Sequence, residues 1–263
     1  MRIALHNVSF AYHADPYSTD MVIKDFRGAF TAGAFYSVIG PNGSGKTTLL
    51  DLLSGFLKPL SGLVEINGTP VFSFSKKALA RIISVVSQDH AVNFPFSVKE
   101  IIAMGRHPYI PRFSPPSAKD IQTAEETMDL CSITHLRDRK INELSGGERQ
   151  RCVFARALCQ DTPILFLDEA FSNLDIHHTL QMLQLVKHSV KNKNKLVISV
   201  FHDLNLAATW SDDLLVLKRG EVKAFGKATD ILTEEIIKEV FEVSSVVEYN
   251  EYVQAKQVYY PIH

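Results

Sequence analysis

The chain has 263 residues, 46% of them hydrophobic and 22% charged, with a formal net charge of -1. A balance so close to zero gives no support for a nucleic-acid binder or for a polybasic surface seeking acidic lipid. No apolar run approaches the roughly 18 residues that span a bilayer, the start of the chain lacks a signal-peptide core, and Cys131, Cys152 and Cys159 lack the C-x-x-C spacing of a zinc or redox site, so buried reduced thiols are expected.

Residues 1–12 alternate as a strand, and residues 22–26 continue the same sheet after a polar loop over 13–20. Phe35–Ile39 reads as a short buried strand that runs into a glycine-rich loop, followed by a helix over Lys46–Leu53. Residues 63–66 with Asn67-Gly68 predict a strand entering a hairpin turn, and residues 82–87 another strand. From there the pattern turns helical. Residues 97–104 carry Ser97 as cap and Glu100 at the capping-box position. A proline-dense connection through Pro108, Pro111, Pro115 and Pro116 leads to helices over 117–131 and 148–159. After Pro163 the alternation of strand and helix resumes: 164–167 strand, 176–191 helix, 196–201 strand, then strands over 213–217 and 222–225 around Arg219-Gly220. The segment 249–260 has strand-like stretches and no motif. The fold class expected is α/β with a helical insertion.

Gly40-Pro41-Asn42-Gly43-Ser44-Gly45-Lys46-Thr47 fits G-x-x-x-x-G-K-[ST]. Glycines let consecutive backbone N–H groups curl round phosphate oxygens with no Cβ in the way. The helix that follows aims its positive end at the same anion. Lys46 is placed to meet the β- and γ-phosphates and Thr47 to offer its hydroxyl to Mg²⁺. Further along, Leu144-Ser145-Gly146-Gly147-Glu148 forms a second glycine-rich nest at a helix start, with Ser145 a good cap. Then Ile164-Leu165-Phe166-Leu167-Asp168-Glu169 is an apolar strand ending in two acids, suited to hold Mg²⁺ and to polarise water.

In that order, Lys46, the pentapeptide beginning at Leu144 and the pair Asp168-Glu169 resemble an ATP-binding cassette (ABC) ATPase. The resemblance runs from about residue 3 to about residue 240. It implies a P-loop NTPase (RecA-like) core with an antiparallel β subdomain. Residues 1–90 and 160–263 would form the α/β part, and 91–159 a helical signature subdomain, within one domain over 1–263. It implies ATP and Mg²⁺ as ligands, with Gly40 to Thr47, Thr48, Ser145, Gly146, Gly147 and Asp175 on the nucleotide, and Thr47, Gln88 and Asp168 on the metal. Glu169 becomes the general base, Gln88 the Q-loop glutamine, and His202 the switch histidine at the γ-phosphate. Ser172-Asn173-Leu174-Asp175 matches the D-loop, and Tyr12 the aromatic that stacks on adenine, with Tyr17 as the fallback.

Two features depart from or fall outside that pattern. Ala170-Phe171 stands where the family often has Pro-Thr, at positions that supply neither metal ligand nor base. His177-His178 invites a metal reading, but adjacent residues on a helix point about 100° apart and chelate poorly.

The resemblance also implies partners. Two copies pack head to tail through ATP, and the pair drives integral-membrane permease subunits from the cytoplasmic face of the membrane. Met104-Gly105-Arg106-His107-Pro108-Tyr109 resembles the G-R-x-P-Y segment of cassettes serving importers of ferric siderophores, haem and vitamin B12, systems that also use a periplasmic binding protein. Phe201 to Ala207 and the stretch from Leu232 to Phe241 fit the same subgroup. Read locally, the Arg106 segment is a proline-terminated helix with its arginine in solvent. A non-transport ABC ATPase would share every catalytic motif. A kinase or GTPase would have no use for the pentapeptide.

Overall fold

The computed structural model describes residues 1–12, 21–87, 94–172 and 174–261. Tyr17, Gln88 and Asn173 lie outside them. In chain order the elements are β1 (Arg2–Phe10), β2 (Ile23–Thr31), β3 (Phe35–Ile39), α1 (Lys46–Leu53), β4 (Ser61–Ile66) and β5 (Thr69–Pro70). Next come α2 (Lys76–Leu79), β6 (Ile83–Val86), α3 (Val98–Ala103), α4 (Ala118–Leu130), α5 (Gly146–Cys159), β7 (Ile164–Asp168) and α6 (Ile176–Lys193). Last are β8 (Leu196–Val200), α7 (Leu204–Trp210), β9 (Asp213–Lys218), β10 (Glu221–Lys227), α8 (Ala228–Ile231), α9 (Glu234–Phe241), β11 (Val246–Asn250) and β12 (Ala255–Tyr259). The chain divides into two compact units, Met1–Phe74 with Leu196–His263, and Ser75–Lys195.

The first unit holds an antiparallel sheet in the order β2-β1-β4-β5. Ile3 faces Phe30 on one side and Ile66 on the other, which puts three apolar side chains at one level. The alternation of β1 breaks at His6 and Asn7, where Asn7 takes φ 52° and the register shifts. That bulge is why the strand's burial does not follow a simple period of two. In a second set of strands, β3 lies parallel to both β8 and β9, and β9 pairs antiparallel with β10. Every residue of β3 and β8 is buried, as expected for strands covered on both faces. Phe30, Tyr36 and Phe225 join the two sets, with ring centroids 5.0 to 6.1 Å apart. The expected strand-like tail is a hairpin of β11 and β12, turned where Asn250 accepts from the Tyr252 amide at 2.9 Å. Asn205 on α7 fastens it, accepting from the Val258 amide at 2.7 Å and donating to its carbonyl at 3.2 Å.

The second unit pairs β6 and β7 in parallel, Ile83 opposite Ile164 and Val86 opposite Leu167. Helices α3, α4 and α5 pack on one another around Ile101, Ile102, Met128 and Phe154, all buried. Each of the three starts with a capping box. The Ser97, Ser117 and Ser145 amides donate to Glu100, Asp120 and Glu148 at 2.7, 3.0 and 2.9 Å. Reciprocal capping satisfies donors that a helix start leaves open. Arg106 is not in solvent. It is 9% exposed, because its guanidinium is drawn inward by Asp120 and by the Cys159 carbonyl.

Among the described residues no helix is long and apolar enough to cross a membrane. All three cysteines are buried, and burial pushes the Cys131 and Cys152 thiols up to about 12 and Cys159 up to about 11. No thiolate is then available at neutral pH. Native protein at pH 8 should leave all three thiols unlabelled by dithionitrobenzoate, and urea-unfolded protein should label all three; fast native labelling would contradict their burial. Phe30→Ala removes the ring shared by both sheets of the first unit. It should cost about 3–5 kcal/mol, read as a lower urea midpoint at unchanged slope.

Candidate functional site

In the first unit, β3 delivers the chain into the loop from Gly40, and α1 carries it away. Two close approaches fix the loop's path. A Cβ on Gly40 would sit 2.2 Å from the Leu217 carbonyl oxygen, and one on Gly45 2.6 Å from that of Val22. Gly45 also takes φ 101°, a conformation that penalises other residues. The Gly220 amide donates to the Ser44 carbonyl at 3.1 Å, tying the β9–β10 turn to the loop. Val22, Leu217 and Gly220 therefore buttress the loop. Sequence reasoning missed them, since nothing in a motif marks the backbone of a neighbouring strand.

Helix α1 has Gly45 as its cap residue, with no side-chain cap and no acid in its first turn. Its leading N–H groups are thus not taken by a capping side chain, and its dipole favours an anion. The Lys46 side chain is folded into the loop, its ammonium donating to the Gly40 and Pro41 carbonyls at 2.9 and 3.0 Å. Thr47 is exposed, while Thr48 is buried and bonds to the Tyr12 hydroxyl at 3.0 Å. Tyr12 is 58% exposed and packs edge-on against Phe10 at 5.1 Å. Phosphate oxygens fit this cradle: glycine backbone, an uncapped helix start, one buried ammonium and two hydroxyls. A cavity of about 240 Å³ flanks the loop between Asn42, Lys218 and Arg219. It falls below the roughly 300–1,000 Å³ of ligand pockets, so it is a flank rather than a binding pocket. The Phe201 amide donates to the Val38 carbonyl at 3.2 Å, and Val38 pairs with Val200. By this register exposed His202 stands level with Gly40, the first residue of the loop.

In the second unit, α5 begins at the exposed Ser145 and Gly146. The Ser145 hydroxyl accepts from the Glu148 amide at 3.3 Å and donates to the Glu148 carboxylate at 2.8 Å. The Ser145 amide, then its hydroxyl, hold the Glu148 carboxyl below its ordinary pKa. β7 ends in Asp168, buried at 4% exposure, and the part-exposed Glu169 follows. Glu169 takes φ 51°, rare for a residue with a side chain. Its carbonyl accepts from both the amide and the hydroxyl of Ser172. Gln150 on α5 donates to the Ala170 carbonyl at 2.8 Å, so this unit brings α5 and the acidic end of β7 together. Phe171 is buried against Phe154, centroids 6.4 Å apart. Asp175 caps α6, accepting from the His178 amide at 2.9 Å, while its carboxylate meets the His178 ring at 2.8 Å. The His178 amide, then its ring, hold the Asp175 carboxyl below its usual range. No cluster of His, Cys, Asp and Glu suited to a metal occurs among the described residues.

A family model described as ABC transporter matches residues 23–172. A cobalamin import ATP-binding protein of Halobacterium salinarum is 36% identical over 221 residues, 84% of this chain and 55% of that protein. The chain thus spans about half the length of that relative. A hemin import ATP-binding protein of Nocardia farcinica is 39% identical over 214 residues, 81% of this chain and 73% of the relative. A solved structure described as a metal-chelate type ABC transporter, inward-facing, superposes with a TM-score of 0.81 at 28% identity, covering 98% of this chain and 95% of that one. A dimeric ATP-binding cassette, MJ0796, bound to ADP and phosphate, gives 0.77 at 27% identity, covering 86% of this chain and 98% of that one. With the family model spanning more than half of its length and such relatives covering four fifths of it, this chain belongs to the ABC transporter family.

Proposed function

We propose that this chain binds and hydrolyses ATP to power an importer whose cargo is an iron chelate, haem or cobalamin. It works at the cytoplasmic face of the cell membrane on separate permease subunits, in a system completed by a periplasmic binding protein. The observation that carries the reading is the phosphate cradle, where a glycine-built loop, the uncapped start of α1 and the buried Lys46 ammonium converge. The subgroup segments and the import functions named for the relatives support the class of cargo. Residues 91–159 act as the helical subdomain that presents the signature.

Lys46 exchanges its loop carbonyls for β- and γ-phosphate oxygens, a charge-assisted contact. The amides of Gly43, Gly45, Lys46, Thr47 and Thr48 hold the remaining phosphate oxygens, and Tyr12 stacks on the adenine. Thr47, Asp168 and Gln88 would hold Mg²⁺, which when bound would offset charge on the phosphates. Glu169 takes a proton from water as the water oxygen bonds to the γ-phosphorus. The bond to the bridging oxygen breaks, giving ADP and phosphate. His202 steadies the γ-phosphate. Ser145, Gly146, Gly147 and Asp175 of one copy meet the nucleotide held by another in a head-to-tail pair. ATP therefore favours the closed pair, and hydrolysis releases it.

Lys46→Ala should weaken ATP binding by tenfold or more in calorimetry while far-UV circular dichroism is unchanged. Affinity near wild type would remove Lys46 from the phosphate site. Glu169→Gln should slow hydrolysis by about 10²–10⁴-fold, as loss of a general base does, with ATP affinity retained. That variant should accumulate as a dimer on a sizing column with Mg-ATP, and Ser145→Arg added to it should abolish the dimer. A trapped dimer that survives Ser145→Arg would contradict the shared site.

A further inference from the structure

Helix α3 is tied at its start to the strip 137–141 that leads into α5, and at its end to the last turn of α5. At its start, the Val98 and Lys99 amides donate to the Arg139 and Arg137 carbonyls at 3.0 Å each, and Ile141 donates to Phe96 at 2.9 Å. That strip runs directly into Leu144 and Ser145. At its end, the chain turns through Gly105 and Arg106 onto the far end of α5. A Cβ on Gly105 would lie 2.4 Å from the Arg156 carbonyl oxygen, so only glycine allows this approach. The Arg106 guanidinium donates from Nη1 to the Cys159 carbonyl at 2.9 Å and from Nε to Asp120 at 3.1 Å. It also lies 4.2 Å from the Tyr109 ring centroid. The other Asp120 oxygen accepts from the Ser117 hydroxyl and amide at 2.6 and 3.0 Å. One buried cation thus joins the end of α3, the cap of α4 and the last turn of α5.

We infer that Arg106 is a positioning residue: by anchoring the carboxyl end of α5 it sets where Ser145, at the other end, meets the nucleotide of a second copy. The inference rests on the reading of Ser145 given above. α5 has 14 residues, about 21 Å of rigid rod. Its middle, Cys152 to Ala155, is fully buried and serves as the pivot. A shift of about 1 Å at Cys159 then appears as a comparable opposite shift at Ser145. That is enough to spoil a hydrogen bond whose useful range is about 2.7–3.2 Å. The cation carries no exposed charge that could serve a partner directly, since the ion pair is almost wholly buried on both sides.

The test separates position from stability. Arg106→Ala leaves Asp120 buried and uncompensated and can simply unfold the helices. Arg106→Met with Asp120→Asn removes both charges and keeps the bulk, but loses the bond to Cys159. Both changes are placed in the Glu169→Gln background and dimerisation is titrated with Mg-ATP on a sizing column. The double change should melt within a few degrees of its parent and bind a fluorescent ATP analogue as a monomer with unchanged affinity. It should nevertheless need about tenfold more ATP for half-maximal dimer. Gly105→Ala, which drives the same helix end outward, should shift the dimer titration in the same direction. Arg106→Lys, which retains the charge beside Asp120, should recover part of it. Dimerisation at the parent's ATP concentration by the double variant would overturn the inference, as would a shift that only tracks melting temperature. Failure of Glu169→Gln alone to dimerise would instead overturn the shared-site reading, and the inference with it.

Discussion

The phosphate loop exists in its present shape because two neighbouring carbonyls press on it where no side chain stands. Leu217 offers its oxygen to the space beside Gly40, and Val22 does the same beside Gly45. The loop is consequently braced from β9 and from the approach to β2. The Gly220 amide adds a direct bond to Ser44. Backbone donors aimed at an anion lose little freedom on binding when their path is already fixed, which is the physical meaning of preorganisation. The Lys46 ammonium completes this arrangement from inside. It is buried and donates to two carbonyls, and those carbonyls are weaker partners than a phosphate.

The second unit applies the same logic to α5. Ser145 could be read as a plain cap or as a ligand contact, and the geometry makes the two compatible. Its amide and hydroxyl hold the Glu148 carboxylate, which fixes the serine at the tip of the helix, while the residue itself remains exposed. Arg139 stands 3.9 Å from the same carboxylate, so the acid at the helix start is partly offset. The helix tip is therefore set by its own capping residues.

Much of this was legible in the sequence because it is local. Phe35–Ile39 and Lys46–Leu53 appear as read, since an apolar run, a glycine loop and a helix-forming stretch all point the same way. The capping box at Ser97 and the cap at Ser145 were visible for the same reason, being set by neighbouring residues; that Glu148 closes a box at Ser145 as well is seen only in the structure. What stayed hidden depends on distant chain. The bulge at Asn7 appears only when β1 must pair on two sides, with β2 and β4. α9 hides in a segment marked only by its likeness to a subgroup, although Thr233 caps it by accepting from Ile236. Arg106 was open to a solvent reading because the residues that bury it, Asp120 and Cys159, lie on helices the segment itself does not contain.

The departure at Ala170-Phe171 follows the same rule. A proline after the acidic pair would stiffen the turn through its fixed φ. Here the turn is stiffened by contacts instead. The Ala170 carbonyl is bound by Gln150, Phe171 fills space against Phe154, and the Glu169 carbonyl takes both donors of Ser172. These hold Glu169 in a left-handed conformation that costs of order 1–3 kcal/mol for a residue with a side chain. Such strain persists only where the surroundings over-determine it. Phe171 thus spends its bulk inside the unit, against Phe154, beside the turn that holds Glu169.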